Sequence, residues 1–267
     1  MANVHFIGAG QMAEAIIRAS LTRKTLTAGQ ISIEDIDAGR IETVNQTYQL
    51  PAQRDVTDAL RQADLVVIGV RPQDDLVGVT KRIQREAAPH GTVVSIVAGV
   101  TLEQLASLLG SARAIARVIP NTLTDTGYGY SGVTLNAHAR AESIETFLSG
   151  FGKFLYLDER LIDVFTGFGV AGPNYIYYFI ESLTDAGVLA GLPRAQATQV
   201  VLENLVGAAE MLKISKKHPR QLLDINNSPA GVGMHGLYEL NNSDFAAGLQ
   251  RSVLAAVKRT TELAKVH

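Results

Sequence analysis

Hydrophobic and polar positions divide this 267-residue chain into two halves with different periods. In the first half, short β-rich runs alternate with stretches whose apolar residues recur every three or four positions. The runs are VHFIG (4–8), ISIEDI (31–36), ADLVVIGV (63–70), GTVVSIV (91–97), RAIARVI (113–119), GYSGVTL (129–135) and KFLYL (153–157). LVVIGV and TVVSIV are continuously apolar, the pattern of strands covered by helices on both faces. Helical stretches lie between them, such as MAEAIIRASLTR, and TLEQLASLLG with Thr101 as N-cap. This interleaving predicts a doubly wound, mostly parallel α/β sheet.

Beyond about Asp158 the strand signal ends. PNYIYYFIESLTDAGVLAGL is helical in length and apolar almost all round, which predicts a helix buried on several sides. LPRAQATQVVLENLVGAAEMLKI opens with Pro193, a first-turn residue, and sets Val201, Leu205, Ala208 and Leu212 at i, i+4, i+7 and i+11. A last helix is expected from Ser243, its N-cap, to the end. The boundary is set near Arg160, giving an α/β domain over 1–159 and an all-helical domain over 160–267.

Composition narrows the function classes. The chain is 46% hydrophobic and 19% charged with a net charge of −2, so nothing in it points to nucleic acid or an anionic membrane. The short charge run around Lys216 reads as a solvated helix end. There is no cysteine, which excludes disulfides, thiolate nucleophiles and Cys-ligated metals; no metal is expected. The first strand begins at Val4, leaving no room for an apolar signal core, and no apolar stretch reaches the roughly 18 residues of a membrane span. The expectation is a cytoplasmic protein.

Gly8-Ala9-Gly10-Gln11-Met12-Ala13 follows a strand and opens a helix, the context in which a G-x-G-x-x-[GA] pattern is informative. Gly8 permits the tight turn. Gly10, with no Cβ, lets a diphosphate approach the amides at the helix N-terminus, where the helix dipole favours anions. Ala13 lets helix and strand pack closely. The pattern therefore predicts a Rossmann-like dinucleotide site. Glu34 or Asp35, at the end of the second strand, would accept hydrogen bonds from the adenosine ribose and repel a 2′-phosphate. That leans the cofactor towards NAD(H) over NADP(H), and Arg40 close by keeps both open.

Further stretches carry a resemblance. GVRPQ (69–73), SIVAGVTLEQL (95–105) and RVIPNT (117–122) lie at strand ends, and DAGVLAGLPRAQA (185–197) and HPRQLLDINNSPAG (218–231) lie in the helical half. Together they resemble the pyrroline-5-carboxylate reductases, which reduce a cyclic imino acid to proline, and the likeness covers essentially the whole chain. It implies a helical dimerisation domain, with a homodimer or larger homo-oligomer as the assembly. It also implies that Val70, Arg71, Pro72, Ala98, Gly99 and Asn121 line the nicotinamide half. In open α/β sheets ligands bind beyond the carboxyl ends of the strands, where these residues fall. Ser228 reads as an N-cap, Pro229 as a first-turn residue, and the small residues after them leave amides open to a carboxylate. Members of the family hold the substrate carboxylate at this loop, which makes Ser228, Ala230, Gly231, Val232 and Gly233 the expected substrate contacts.

The chain departs from the family at that loop. Where the pattern reads S-P-G-G-[TA]-T, this chain has Ser228-Pro229-Ala230-Gly231-Val232-Gly233, so a threonine hydroxyl near the substrate is lost at Gly233. A lysine usual at Leu223 is absent, S-G-S-G-P reads Gly169-Val170-Ala171-Gly172-Pro173, and P-N-T-P reads Pro120-Asn121-Thr122-Leu123. No catalytic acid stands out; His138, His218 and His235 are candidates by residue type, with His218 read as a helix cap. Glu181 and Asp185 share a face of an apolar helix and are expected to cap it or bond across a helical interface. Three readings are carried: an imine reductase of this or another imine; a β-hydroxyacid dehydrogenase, disfavoured because GPNYIYYFIESLTDAGVLAGL lacks that family's lysine; and a non-catalytic dinucleotide-binding regulator.

Overall fold

The computed structural model describes residues 2–51, 55–71 and 74–264. By packing, the chain forms two units, Met1–Ala171 with Ala255–His267, and Gly172–Leu254.

Among the described residues the first unit holds seven strands: β1 (Val4–Ile7), β2 (Ile31–Glu34), β3 (Leu65–Ile68), β4 (Thr92–Ser95), β5 (Ile115–Pro120), β6 (Tyr130–Leu135) and β7 (Lys153–Tyr156). Its helices are α1 (Gln11–Thr22), α2 (Ala38–Tyr48), α3 (Val56–Gln62), α4 (Leu76–Glu86), α5 (Leu102–Leu109), α6 (Glu145–Ser149) and α7 (Ile162–Phe165). The strands form one sheet in the order β2-β1-β3-β4-β5-β6-β7, parallel throughout except between β5 and β6. All seven expected strands are present.

Period-two alternation explains the continuously apolar strands. Val4, Phe6, Leu65 and Val67 enter a core under α1 and α2 with Ile16, Ile17 and Val44. Ile7, Val66 and Ile68 enter a second core on the opposite face with Ile83 of α4 and Leu105 of α5. Both faces are covered, so both sets of positions must be apolar. Pairing of Ile7 with Ile68 and of Ile68 with Ser95 brings the carboxyl ends of β1, β3 and β4 into line. The chain winds from β1 to β2 on one side and then returns to β3 on the other, which opens a crevice at the ends of β1 and β3.

Local signals fix the helix starts. Thr101 and Gln104 form a capping box on α5, and Asp37, Asp55 and Asp75 cap α2, α3 and α4 through their carboxylates.

The second unit contains α8 (Gly172–Leu189), α9 (Arg194–Ser215), α10 (Pro219–Ile225), α11 (Val232–Asn241) and the first half of α12 (Phe245–Ala264). α8 and α9 pack where Gly187 meets Ala197: a Cβ added to Gly187 would lie 2.9 Å from that of Ala197. Arg194 ties the pair, reaching Glu181 at 3.2 Å and Asp185 at 2.5 Å. Ser243 accepts from the Phe245 amide at 3.2 Å.

Three expectations fail here. Pro193 is the N-cap of α9 rather than a first-turn residue. Ser243 is not the N-cap of α12: the helix begins at Phe245, and the Asp244 carbonyl accepts its first intrahelical bond, from the Gly248 amide. Nor is α8 buried on several sides: Tyr178 is 79% exposed, Tyr177 56% and Ile176 52%. Within one chain this apolar helix has too few neighbours to cover it, and a contiguous exposed apolar face of this kind marks an association surface. No helix among the described residues is long and apolar enough to cross a membrane.

Candidate active site

The glycine loop is built by close approach of backbone. Gly8 adopts φ +97°, and a Cβ there would lie 2.8 Å from the carbonyl of Gly69. Its amide donates to the Glu34 carbonyl at 2.8 Å, while the Gly69 amide donates to the Ile7 carbonyl at 2.8 Å. Turn and packing thus both demand glycine at this position. Ala13 is buried against the same spot, 3.6 Å from where a Gly69 Cβ would sit. Gly10 differs: it is the N-cap of α1 with φ −65°, lacks a side-chain cap, and a Cβ built on it meets nothing within 4 Å. Gln11 is exposed beside it and Met12 half-buried. Open space therefore lies over the helix N-terminus, where first-turn amides have no intrahelical acceptor. This is a cradle that would suit a diphosphate.

Of the two acidic candidates, Asp35 is the one at this loop. Its carboxylate accepts from the Ala9 amide at 2.7 Å and the Asp37 amide at 3.0 Å. Glu34 turns to the other face of the sheet, between buried His5 at 3.7 Å and Arg82 at 2.7 Å. Burial alone would raise its carboxyl pKa; the His5 ring and the Arg82 guanidinium outweigh burial and hold it below the ordinary carboxylate range. Arg40 is a brace for the loop: its Nε donates to the Ala9 carbonyl at 2.6 Å and its guanidinium pairs with Glu14 of α1. Glu14 also accepts from the Tyr48 hydroxyl at 2.8 Å, and Arg18 joins Tyr48 to Asp125 after β5. Burial opposes ionisation of Glu14, and its bonds to Arg40 and Tyr48 prevail to lower its pKa.

The remaining strand-end residues are placed as follows. Val70 is half-buried; Arg71 is exposed and paired with Asp74 at 3.0 Å. Pro72 lies outside the described residues. Ala98 is exposed and Gly99 is buried with φ +80°. Asn121 is buried, and its carboxamide is engaged locally. Oδ1 accepts from the amides of Leu123 and Tyr130 at 3.2 and 3.1 Å, while Nδ2 donates to the Gly169 carbonyl at 3.4 Å. The crevice thus gathers Gly8, Gly10, Asp35 and Val70 around the ends of β1, β2 and β3.

In the second unit the loop after α10 corrects the sequence reading. Gly231, not Ser228, is the N-cap of α11, and Pro229 precedes the helix rather than entering its first turn. Ser228 to Gly231 form a tight turn closed by the Gly231 amide on the Ser228 carbonyl at 2.9 Å. Ala230 supplies the bend at φ +55°, a left-handed conformation that glycine adopts more readily. That turn consumes the register Ser228 would have needed to cap. Val232, 93% exposed, and Gly233 begin the helix.

With this geometry in place, the comparisons with known proteins are specific. Residues 159–263 match the family described as pyrroline-5-carboxylate reductase dimerisation, and residues 3–99 match NADP oxidoreductase coenzyme F420-dependent. A pyrroline-5-carboxylate reductase of Glycine max is 36% identical over 266 residues, covering 97% of this chain and 94% of its own. The chain belongs to the pyrroline-5-carboxylate reductase family. The Escherichia coli reductase is 30% identical, covering 98% of each chain. Among solved structures, the Plasmodium falciparum pyrroline carboxylate reductase with NADP bound has a TM-score of 0.83 at 25% identity, with 98% of each chain covered. The Streptococcus pyogenes 1-pyrroline-5-carboxylate reductase has a TM-score of 0.80 at 29% identity, covering 99% of this chain and 98% of that one.

Within this reductase family member the three candidate histidines, His138, His218 and His235, are all exposed. His218 caps α10 by accepting from the Arg220 amide at 3.2 Å. Sequence reading missed two polar networks. Arg40 was noted only as a complication for the ribose, whereas it grips Ala9. Arg117, 2% exposed on β5, holds Glu159 at 3.3 Å and Asp163 at 3.5 Å; Glu159 in turn accepts from the Leu102 amide at the start of α5. An arginine inside the run RAIARVI was the available signal, because a charge in a doubly covered strand needs a partner.

Proposed function

We propose that this chain reduces a cyclic imino acid with a nicotinamide dinucleotide, pyrroline-5-carboxylate to proline being the leading reaction. The observation that carries the reading is the bare N-terminus of α1 at Gly10, set at the crevice of a sheet whose likeness to this family runs the full chain. Gly8, Gly10, Gln11, Met12 and Ala13 would hold the diphosphate and Asp35 the ribose. Val70, Arg71, Pro72, Ala98, Gly99 and Asn121 would flank the nicotinamide half. When bound, the cofactor supplies the hydride. The protein's part is orientation, since a protonated imine already carries the positive charge that makes its carbon accept hydride.

Asp35 supports a preference for NADH over NADPH. Its carboxylate, held by the Ala9 and Asp37 amides, stands just past the end of β2, where a 2′-phosphate would meet negative charge. The first-turn amides of α11, beside Ser228, Ala230, Gly231, Val232 and Gly233, would take the substrate carboxylate. The uncovered apolar surface of α8, inside the region matched to reductase dimerisation, supports a homodimer. A second reading, reduction of a different imine, is favoured by the changes at Leu223, Ala230 and Gly233.

Steady-state oxidation of NADH and NADPH against a panel of cyclic imino acids, with a proline-driven reverse assay, tests the proposal. Turnover with pyrroline-5-carboxylate, faster with NADH, is expected. Cofactor binding without turnover of any imine would replace the enzyme with a dinucleotide-binding regulator.

A further inference from the structure

Gly233 stands where the family carries a threonine, yet the space beside it is not vacant. A Cβ built on Gly233 falls on the Oδ1 of Asn227, far inside van der Waals contact. The Asn227 carboxamide is anchored, its Nδ2 donating to the Leu223 carbonyl at 2.6 Å on the last turns of α10. That bond assigns which end of the carboxamide faces Gly233. The Oδ1 is buried and accepts from no donor among the described residues. No side chain can stand at position 233 while Asn227 holds this conformation.

We infer that Asn227 is a specificity-determining residue of the substrate loop: it takes the place of the missing side chain at 233 and offers an acceptor where a hydroxyl would offer both donor and acceptor. The inference rests on the reading that this loop binds the imino acid. A hydroxyl can give or receive a hydrogen bond, whereas an amide oxygen only receives. A buried acceptor left unpaired is costly, and a ligand bearing an N–H relieves that cost. A protonated cyclic imino acid bears its N–H on the atom next to the carboxylate-bearing carbon. One ligand can then set its carboxylate against the first-turn amides of α11 and direct its N–H towards Asn227. The neutral imine has no hydrogen to give. The loop therefore selects the protonated form.

Four proteins test this: the wild type, G233T, N227A and N227A/G233T. Each is measured for kcat/KM with pyrroline-5-carboxylate across pH and for calorimetric affinity for proline, and ADP-ribose binding reports an intact first unit. G233T alone is expected to lose at least tenfold in kcat/KM and in proline affinity, because its Cβ collides with Asn227. The double variant should recover to within about threefold of the wild type. Its activity should persist to higher pH, since the restored hydroxyl can donate to a neutral imine. Additive losses, or an N227A protein with wild-type pH profile and proline affinity, would overturn the inference. A wild type that turns over no imine would sink the catalytic reading separately, and the proline affinities of the four proteins would still decide the role of Asn227.

Discussion

Gly8 and Gly233 are both glycines in loops assigned to small molecules, and they are glycine for different reasons. At Gly8 the main chain itself decides, because positive φ and the Gly69 carbonyl at 2.8 Å from any Cβ leave no alternative. At Gly233 a neighbouring side chain decides, because Asn227 fills the volume. The first kind of constraint is imposed by the fold's own backbone and stays fixed while substrates change. The second is an exchange between two side chains and can be reversed. The first unit of this chain therefore keeps the family's glycine pattern, and the second departs from it where the substrate would lie.

The contrast can be broken most forcefully at the first loop. Gly8→Ala should destabilise the protein by about 3 kcal/mol, combining left-handed strain with overpacking against Gly69. Urea unfolding measures this, and a loss below 1 kcal/mol would show that the loop relaxes freely. Next in size, Asp35→Ser should raise the use of NADPH relative to NADH by about tenfold, the effect expected for removing a charge beside a 2′-phosphate. An unchanged ratio of kcat/KM values would mean that the ribose is read elsewhere. Smaller again, Ala230→Gly should stabilise the protein by about 0.5 to 1 kcal/mol, since the turn at φ +55° then carries no Cβ. Cofactor affinity should not change in that variant, which keeps the two loops independent.

The smallest effect is acid sensitivity. The Glu34 pKa is lowered in the folded chain, so its contribution is present above the ordinary carboxylate range and lost as pH falls through the lowered value. The urea midpoint of the wild type should therefore fall more between pH 7 and pH 4 than that of Glu34→Gln. Parallel curves would contradict the ion pair with Arg82.

These outcomes also bear on what the sequence made legible. All seven strands and the glycine loop were readable because period-two burial and backbone turns are local and leave a residue-by-residue trace. Thr101 and His218 were readable as caps for the same reason. The cap at Gly231 was not, because Ser228 and Pro229 suit a helix start equally well until the turn through Ala230 is seen. Burial along α8 misled, since apolarity says that a face is covered and not whether the cover belongs to the same chain. The Arg40 brace, the Arg117 pair and the Asn227–Gly233 exchange depend on which side chains the fold brings together. Asn227 and Gly233 are six residues apart and show no shared period.

The central claim, that a diphosphate rests on bare main chain at the N-terminus of α1, is tested most directly by calorimetric titration of NADH into the wild type and into Gly10→Val. Nothing lies within 4 Å of the added Cβ, so the variant should fold normally, with its thermal midpoint close to that of the wild type. Its affinity for NADH should fall at least tenfold. Equal affinities in the two proteins, or no binding heat in either, would contradict it.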